Sequence, residues 1–438
     1  MLGLDMSALN RSITQTPLYQ MGGRLRSVTG RMTCAIPAAV GDHCAILPRD
    51  GEPVLAEVIG FENDLAYLVP FDTAENLQPG MAVLRKGRGA VVPTGKNLLG
   101  RVIDGLGRPL DGKGPLVDCP LKPVNRPAPP AMERQRIRAP FVTGIRAIDS
   151  VLTCGGGQRV GIFAGSGVGK STLLGEVAKG SQADVNVIAL IGERGREVAP
   201  FLEDVLGPEG LARSVVIVAT CEQTPLMRVR AAQSAIAIAD YFRSEDQHVL
   251  FVIDSLTRLA LAQRELGLLL GEPPSSRGYT PSVFQTLANT VERLGNAAVG
   301  GITALLTVLV DGGDMDEPIA DYVRGLVDGH IVLDRKIAER GFYPAIDVAR
   351  SISRVAVDVV DKEFAKAARK VRAILATHAD VQDLIRIGAY VRGSSPQVDK
   401  AIELMPLVEK FLKQDVGERS TFESTRAGLF QIAAAWPY

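Results

Sequence analysis

The stretch Val160-Gly161-Ile162-Phe163-Ala164-Gly165-Ser166-Gly167-Val168-Gly169-Lys170-Ser171-Thr172 decides the fold. Five apolar residues, Val160–Ala164, read as a buried strand. A glycine-rich turn follows, then a helix over Ser171–Lys179. The turn fits the phosphate-loop pattern G-x-x-x-x-G-K-[ST] in a relaxed form, with Ala164 at the first position. Gly165, Gly167 and Gly169 let backbone N–H groups turn inward without a Cβ clash. Those groups and the following helix N-terminus then hold phosphate. Lys170 reaches the β- and γ-phosphates, and the Ser171 hydroxyl ligates Mg²⁺. The plainer alternative is a glycine-rich turn that binds nothing. Strand, loop, Lys-Ser pair and helix together argue against it.

Outward from this loop, apolar runs recur at Val185–Ile191, Val215–Ala219, Val249–Ile253, Ile302–Val310 and His330–Leu333. Helix-like stretches such as Met227–Tyr241 separate them. Buried strands alternating with helices predict an α/β fold with a parallel sheet covered on both faces. Val249–Ile253 ends in Asp254, the form of a strand whose terminal acid holds Mg²⁺ through its waters. Ile191–Glu197 (IGERGRE) follows the strand after the phosphate-loop helix, at the end of Val185–Ile191. A carboxylate at a strand's C-terminal end shares the phosphate loop's edge of the sheet, so Glu193 is the candidate to orient attacking water. A surface charge cluster is the alternative.

Before the loop, residues 22–92 carry short β-rich pieces: Gly23–Val28, His43–Leu47, Val54–Phe61 and Leu65–Val69. Their spacing predicts a small barrel or sandwich. Pro109–Pro140 is dense in proline and reads as an irregular connection. The tail is helical by pattern, with candidates at Lys362–Leu375, Val381–Val391, Val398–Lys413 and Thr421–Ala435. The expected domains are a leader (1–18), a β-barrel (19–92), a nucleotide-binding core (93–360) and a C-terminal helical domain (361–438). In the leader, Leu2, Met6, Leu9 and Ile13 share one helical face. That face either docks on its own domain or binds a partner.

Composition narrows the function classes. Lys+Arg and Asp+Glu are both 49, so nothing global draws the chain to nucleic acid or an anionic membrane. The cysteines Cys34, Cys44, Cys119, Cys154 and Cys221 have no CxxC spacing, which argues against a zinc or redox site. The histidines His43, His248, His330 and His378 form no metal pattern. No apolar run approaches the ~18 residues of a membrane span, and the first residues lack a signal-peptide layout. A cytoplasmic location is expected. The acidic stretch Asp311–Glu317 lacks the spaced acceptors of a calcium loop and reads as a turn.

Five motifs then occur in order: Ala164–Thr172, Gly192–Val198 (GERGREV), Asp254–Arg264 (DSLTRLALAQR), Gly271–Phe284 (GEPPSSRGYTPSVF) and Asp347–Val355 (DVARSISRV). Together they closely resemble the flagellar type III export ATPases, relatives of the rotary ATP synthase α and β subunits. The resemblance runs from about Tyr19 onward. It implies a RecA-like core with an N-terminal β-barrel and a C-terminal helical domain, in a homohexamer with sites between subunits. It implies that Ala164–Thr172, including Val168 and Thr172, cradles ATP, and that Glu193 polarises the lytic water. It implies that Arg194 supports the phosphates, that Arg258 lies near the γ-phosphate, and that Glu197 and Asp254 hold waters around Mg²⁺. Tyr343 would stack on adenine, and Arg354 would be an arginine finger reaching a neighbouring subunit.

The implied partners are a central coiled-coil stalk contacted by Gly271–Ser282, a negative regulator, an export gate at the membrane and chaperone–cargo complexes. The implied place is the cytoplasmic face of the flagellar basal body, and nucleic acid is not an expected partner. The leader is short for such a family, which weakens its reading as the regulator's site. The ATPase of a virulence secretion apparatus shares nearly every motif. A non-catalytic ring subunit is disfavoured by Lys170, Glu193 and Asp254 together. An RNA-translocating hexamer is disfavoured because residues 22–92 offer only Phe61, Tyr67 and Phe71 for base stacking.

Overall fold

The computed structural model describes residues 21–28, 31–87 and 89–438. The Leu2/Met6/Leu9/Ile13 face lies outside the described residues. Those described fall into two compact units. One runs to Ala90 and takes in Leu269–Gly271; the other holds Val91–Leu268 and Glu272–Tyr438.

The smaller unit is a closed barrel, which resolves the barrel-or-sandwich choice. Its strands are β1 (Gly22–Ser27), β2 (Met32–Ala35), β3 (His43–Leu47), β4 (Val54–Glu62), β5 (Leu65–Pro70) and β6 (Ala82–Gly87). They pair antiparallel in the order β1-β2-β5-β4-β3-β6, and β6 returns to β1. Alternation fills the interior: Ala56 and Val58 of β4 point inward with Cys34, Cys44, Ile46, Leu68 and Val83. Asn63 and Asp64 join β4 to β5 with φ of 45° and 65°, the left-handed pair a two-residue hairpin needs.

The larger unit carries β7 (Val91–Pro93), β8 (Arg101–Ile103), β9 (Leu121–Pro123), β10 (Arg159–Ala164), β11 (Val185–Glu193), β12 (Ser214–Thr220), β13 (His248–Asp254), β14 (Gly295–Asn296), β15 (Gly301–Leu309), β16 (Gly329–Leu333) and β17 (Ile346–Ser353). The main sheet runs β17-β16-β10-β15-β13-β11-β12-β8. It is parallel from β16 to β8, while β17 adds an antiparallel edge. β8 and β17 were not among the predicted strands; both lie at sheet edges, where one neighbour demands less apolar sequence. The central strands are apolar on both faces because helices cover both.

Helix α1 (Lys170–Gly180) follows β10 directly. Helix α2 (Pro225–Ser244) starts where Thr224 accepts from the Met227 amide at 3.2 Å, with Pro225 in the first turn. At the C-terminal end lie α3 (Lys362–Arg386), α4 (Pro396–Leu412) and α5 (Phe422–Ala434). They share the sheet's core: Phe364, Val371, Leu404, Leu429 and Trp436 belong to one buried cluster with Ile162 and Leu305. Helix α3 is continuous where the apolar pattern suggested two pieces, Lys362–Leu375 and Val381–Val391. Residues 376–380 hold no Gly or Pro to break it. The pattern lapses because the second half leaves the core, with Leu384 exposed, and the helix stops at Arg386, short of Val391, with Ile387 exposed just beyond it.

Candidate functional site

The parallel strands deliver their C-terminal ends to one edge of the sheet, and the site assembles there. β10 ends at Ala164, and the chain turns through Gly167 and Gly169 at φ of 77° and 85° before entering α1. Glycine is needed at 169 on two counts. Its φ is left-handed, and a Cβ there would stand 3.3 Å from the Tyr343 ring. The first turn of α1 opens onto a cleft of about 450 Å³ lined by the loop from Ala164 to Thr172, by Glu193 and by Arg258. Val168 is the exception in the loop: it is buried in the apolar core.

Lys170 Nζ contacts Asp254 Oδ1 and lies 3.8 Å from Glu193 Oε1. Asp254, at the end of β13, is 3% exposed and also accepts from Thr307 Oγ1 at 2.9 Å. Glu193 ends β11 one strand away. Burial first, then the Asp254 carboxylate, push its carboxyl up to about 7; Lys170 and Arg258 oppose this only in part. Arg258 donates to the Gly192 carbonyl at 2.5 Å. Arg194 and Glu197 line the same cleft and pair with each other at 3.3 Å on its open side.

The carboxylates of Glu193 and Asp254 repel each other beside Ser171, a repulsion that a divalent cation would relieve. All the available donors are oxygens: Ser171, Asp254 and Glu197. Among the described residues no three His, Cys, Asp or Glu side chains gather into a metal cage. That set suits Mg²⁺, which keeps waters and takes few protein ligands.

A second cleft of about 380 Å³ adjoins the first and is lined by Thr172, Glu176, Tyr343, Pro344, Gln414 and Val416 among others. Tyr343 precedes β17, whose Ile346 pairs with Leu333 at the C-terminal end of β16. The register therefore sets Tyr343 on the phosphate-loop edge. Gln414, 6% exposed, holds the far wall. Its amide donates to the Tyr343 carbonyl at 2.9 Å, its Nε2 to the Gly144 carbonyl at 2.8 Å, and its Oε1 accepts from the Arg146 amide at 2.9 Å.

Arg354 is not brought to either cleft. Ser353 pairs with Gly329, and Gly329 with Val160, so Arg354 lies at the opposite end of β10 from the loop. Four strand steps put it roughly 13 Å or more from that edge. It is exposed, with its guanidinium 3.4 Å from the Arg324 carbonyl. In the segment Gly271–Ser282, Tyr279 is buried and donates to Glu317 at 3.2 Å. Glu317 caps the helix Pro318–Leu326, in keeping with a turn over Asp311–Glu317.

Gln414 and Thr307 escaped the sequence reading. Gln414 has no local signal, since the Gly144 and Arg146 groups that its side chain holds lie 270 and 268 residues away in sequence. Thr307 did carry one: a hydroxyl inside the aliphatic run Ile302–Val310.

The sheet, the loop and the acids at its edge define a P-loop nucleotide-binding ATPase core. The model of the ATP synthase alpha/beta family nucleotide-binding domain matches residues 144–353, and that family's beta-barrel domain matches residues 27–87. The T3SS EscN ATPase C-terminal domain matches residues 360–431. The chain is similar to a flagellum-specific ATP synthase of Bacillus subtilis (strain 168), 50% identical, over 96% of this chain and 97% of that one. It is similar to a type 3 secretion system ATPase of Xanthomonas euvesicatoria, 44% identical, over 96% of both. Among solved structures it resembles the assembled ATPase EscN in complex with its central stalk EscO, from the enteropathogenic E. coli type III secretion system. The TM-score there is 0.87 at 42% identity, covering 94% of this chain and 100% of that one. The chain belongs to the ATP synthase alpha/beta family, in its group of flagellar and type III secretion ATPases.

Proposed function

We propose that this chain hydrolyses Mg-ATP to energise type III export of flagellar proteins, including release and unfolding of chaperone-bound cargo. The observation that carries it is the meeting of Lys170, Glu193 and Asp254 at one sheet edge. The loop Ala164–Thr172 binds the phosphates, with Lys170 on the β- and γ-oxygens. Ser171, Asp254 and Glu197 hold Mg²⁺ and its waters. The cation, when bound, neutralises charge building on the phosphates. Glu193 takes the proton of the attacking water, for which a carboxyl titrating near 7 is suited. Arg194 and Arg258 support the phosphates, and Tyr343 stacks on adenine.

Arg354 acts as the finger in a neighbouring subunit of a homohexamer. Its position far from its own loop supports this. The domain division 1–18, 19–92, 93–360 and 361–438 is proposed with it. The segment Gly271–Ser282 faces a central stalk, as the relative's complex with EscO suggests. A negative regulator, the export gate and chaperone–cargo complexes are the further partners, at the cytoplasmic face of the flagellar basal body. Among the described residues no helix is long and apolar enough to cross a membrane, so partners would supply the attachment.

Mg-ATPase activity per subunit, measured against protein concentration, tests the shared site: it rises with concentration, whereas a flat line rejects it. Deleting the gene impairs filament assembly; a deletion strain that swims normally but fails in virulence secretion selects the other apparatus.

A further inference from the structure

Thr307 is a hydroxyl in a strand of buried aliphatic side chains; Leu305, Leu306 and Val308 flank it. Valine has the same shape, and a buried hydroxyl costs free energy unless it is hydrogen-bonded. The parallel register sets Ile253 against Leu306, so Asp254 and Thr307 are the next residues along adjacent strands. Thr307 Oγ1 lies 2.9 Å from Asp254 Oδ1 and 3.1 Å from the Ile253 carbonyl. One hydroxyl carries one proton, and an ionised carboxylate is the stronger acceptor.

Lys170 contacts the same Oδ1. Both donors thus grip one oxygen, and Oδ2 accepts no hydrogen bond among the described residues. The strand end is itself pinned, because the Leu309 amide donates to Thr257 Oγ1 at 2.9 Å. The two donors differ in permanence. Lys170 must turn to the phosphates when nucleotide arrives, whereas Thr307 is 0% exposed and has nowhere to go.

We propose that Thr307 is a positioning residue for the metal: its hydroxyl holds Asp254 by Oδ1 so that Oδ2 is presented to the cation's water shell. This rests on the reading of Asp254 as a holder of Mg²⁺ waters. The plainer role is that the hydroxyl only satisfies the Ile253 carbonyl.

The test uses the full chain and a fluorescent ATP analogue, with binding followed in EDTA and then on titration with Mg²⁺. Thr307→Val binds the analogue in EDTA as wild type does. Its Mg²⁺ requirement, for tightened binding and for turnover, rises roughly tenfold or more, the usual loss when an outer-shell partner is removed. Thr307→Ser restores the wild-type titration. If the valine variant fails to bind in EDTA, Thr307→Ala carries the same expectation. A wild-type Mg²⁺ titration in both Thr307→Val and Thr307→Ala, with Asp254→Asn shifted, overturns the role of Thr307 and leaves the metal reading standing. A wild-type titration in Asp254→Asn as well overturns both.

Discussion

The ammonium of Lys170 lies 3.8 Å from the Glu193 carboxylate. It is shared, because the same Nζ contacts Asp254. Lys170 thus serves buried Asp254 and half-buried Glu193 together, and Glu193, the farther of them, stays reluctant to ionise because its partial burial and the Asp254 carboxylate outweigh Lys170 and Arg258.

That reluctance has a pH signature. Glu193 titrates near 7 in the folded chain, against an ordinary 4.5. If it is the base, kcat/KM for ATP falls on the acid side with an apparent pKa close to 7. A profile flat down to the ordinary carboxylate range excludes it. Stability carries the same group with a definite sign. Between 4.5 and about 7 the folded chain binds the extra proton, so stability falls as pH rises through that window. Glu193→Gln removes this penalty. Its Tm exceeds that of wild type above neutrality, and the difference closes as the pH drops towards 4.5.

Binding and hydrolysis separate in two variants. Glu193→Gln keeps the loop, the helix N-terminus and Lys170, so it binds nucleotide and does not turn it over. Lys170→Ala loses both, because the ammonium that reaches the β- and γ-phosphates is gone. Fluorescent-nucleotide titration beside single-turnover hydrolysis distinguishes these outcomes. Equal binding by Lys170→Ala and wild type is incompatible with the assigned role.

Arg354→Ala loses the activity that assembly adds and retains nucleotide binding. Mixing it with Glu193→Gln offers the sharper test. Neither variant alone shows the activity that assembly adds, but a mixed ring contains sites with an intact Glu193 from one subunit and an intact Arg354 from the next. Recovered activity on mixing is the expected result. None appears if the arginine acts within its own chain.

The base-side wall is read through Tyr343 and Gln414. Tyr343→Ala raises KM for ATP roughly two- to tenfold, the worth of one ring stack, while Tyr343→Phe stays near wild type. Gln414→Ala keeps the backbone bond to the Tyr343 carbonyl but loses the side-chain bonds to the Gly144 carbonyl and the Arg146 amide. KM rises with little change in kcat, and unfolding in urea shows a loss of about 1–3 kcal/mol. A Gln414→Ala enzyme with wild-type KM denies that residue any part in the base pocket.

Local chemistry settled much of this protein within the sequence itself. Val160–Thr172 specified a strand, a turn that only glycines adopt, and a helix whose open N–H groups favour anions, all within 13 consecutive residues. The strand runs ending in Glu193 and Asp254 were legible for the same reason: burial on both faces demands continuous apolar sequence, and a terminal acid interrupts it. What the tertiary structure decided is everything that depends on strand order and register. Only the pairing of β13 with β15 sets Thr307 beside Asp254, and only the antiparallel return of β17 carries Tyr343 to the loop's edge and Arg354 away from it. Gln414 reaches Tyr343 because the C-terminal helices share the sheet's core. Contacts between residues far apart in sequence leave no periodicity to read, since their geometry exists only once the chain has closed on itself.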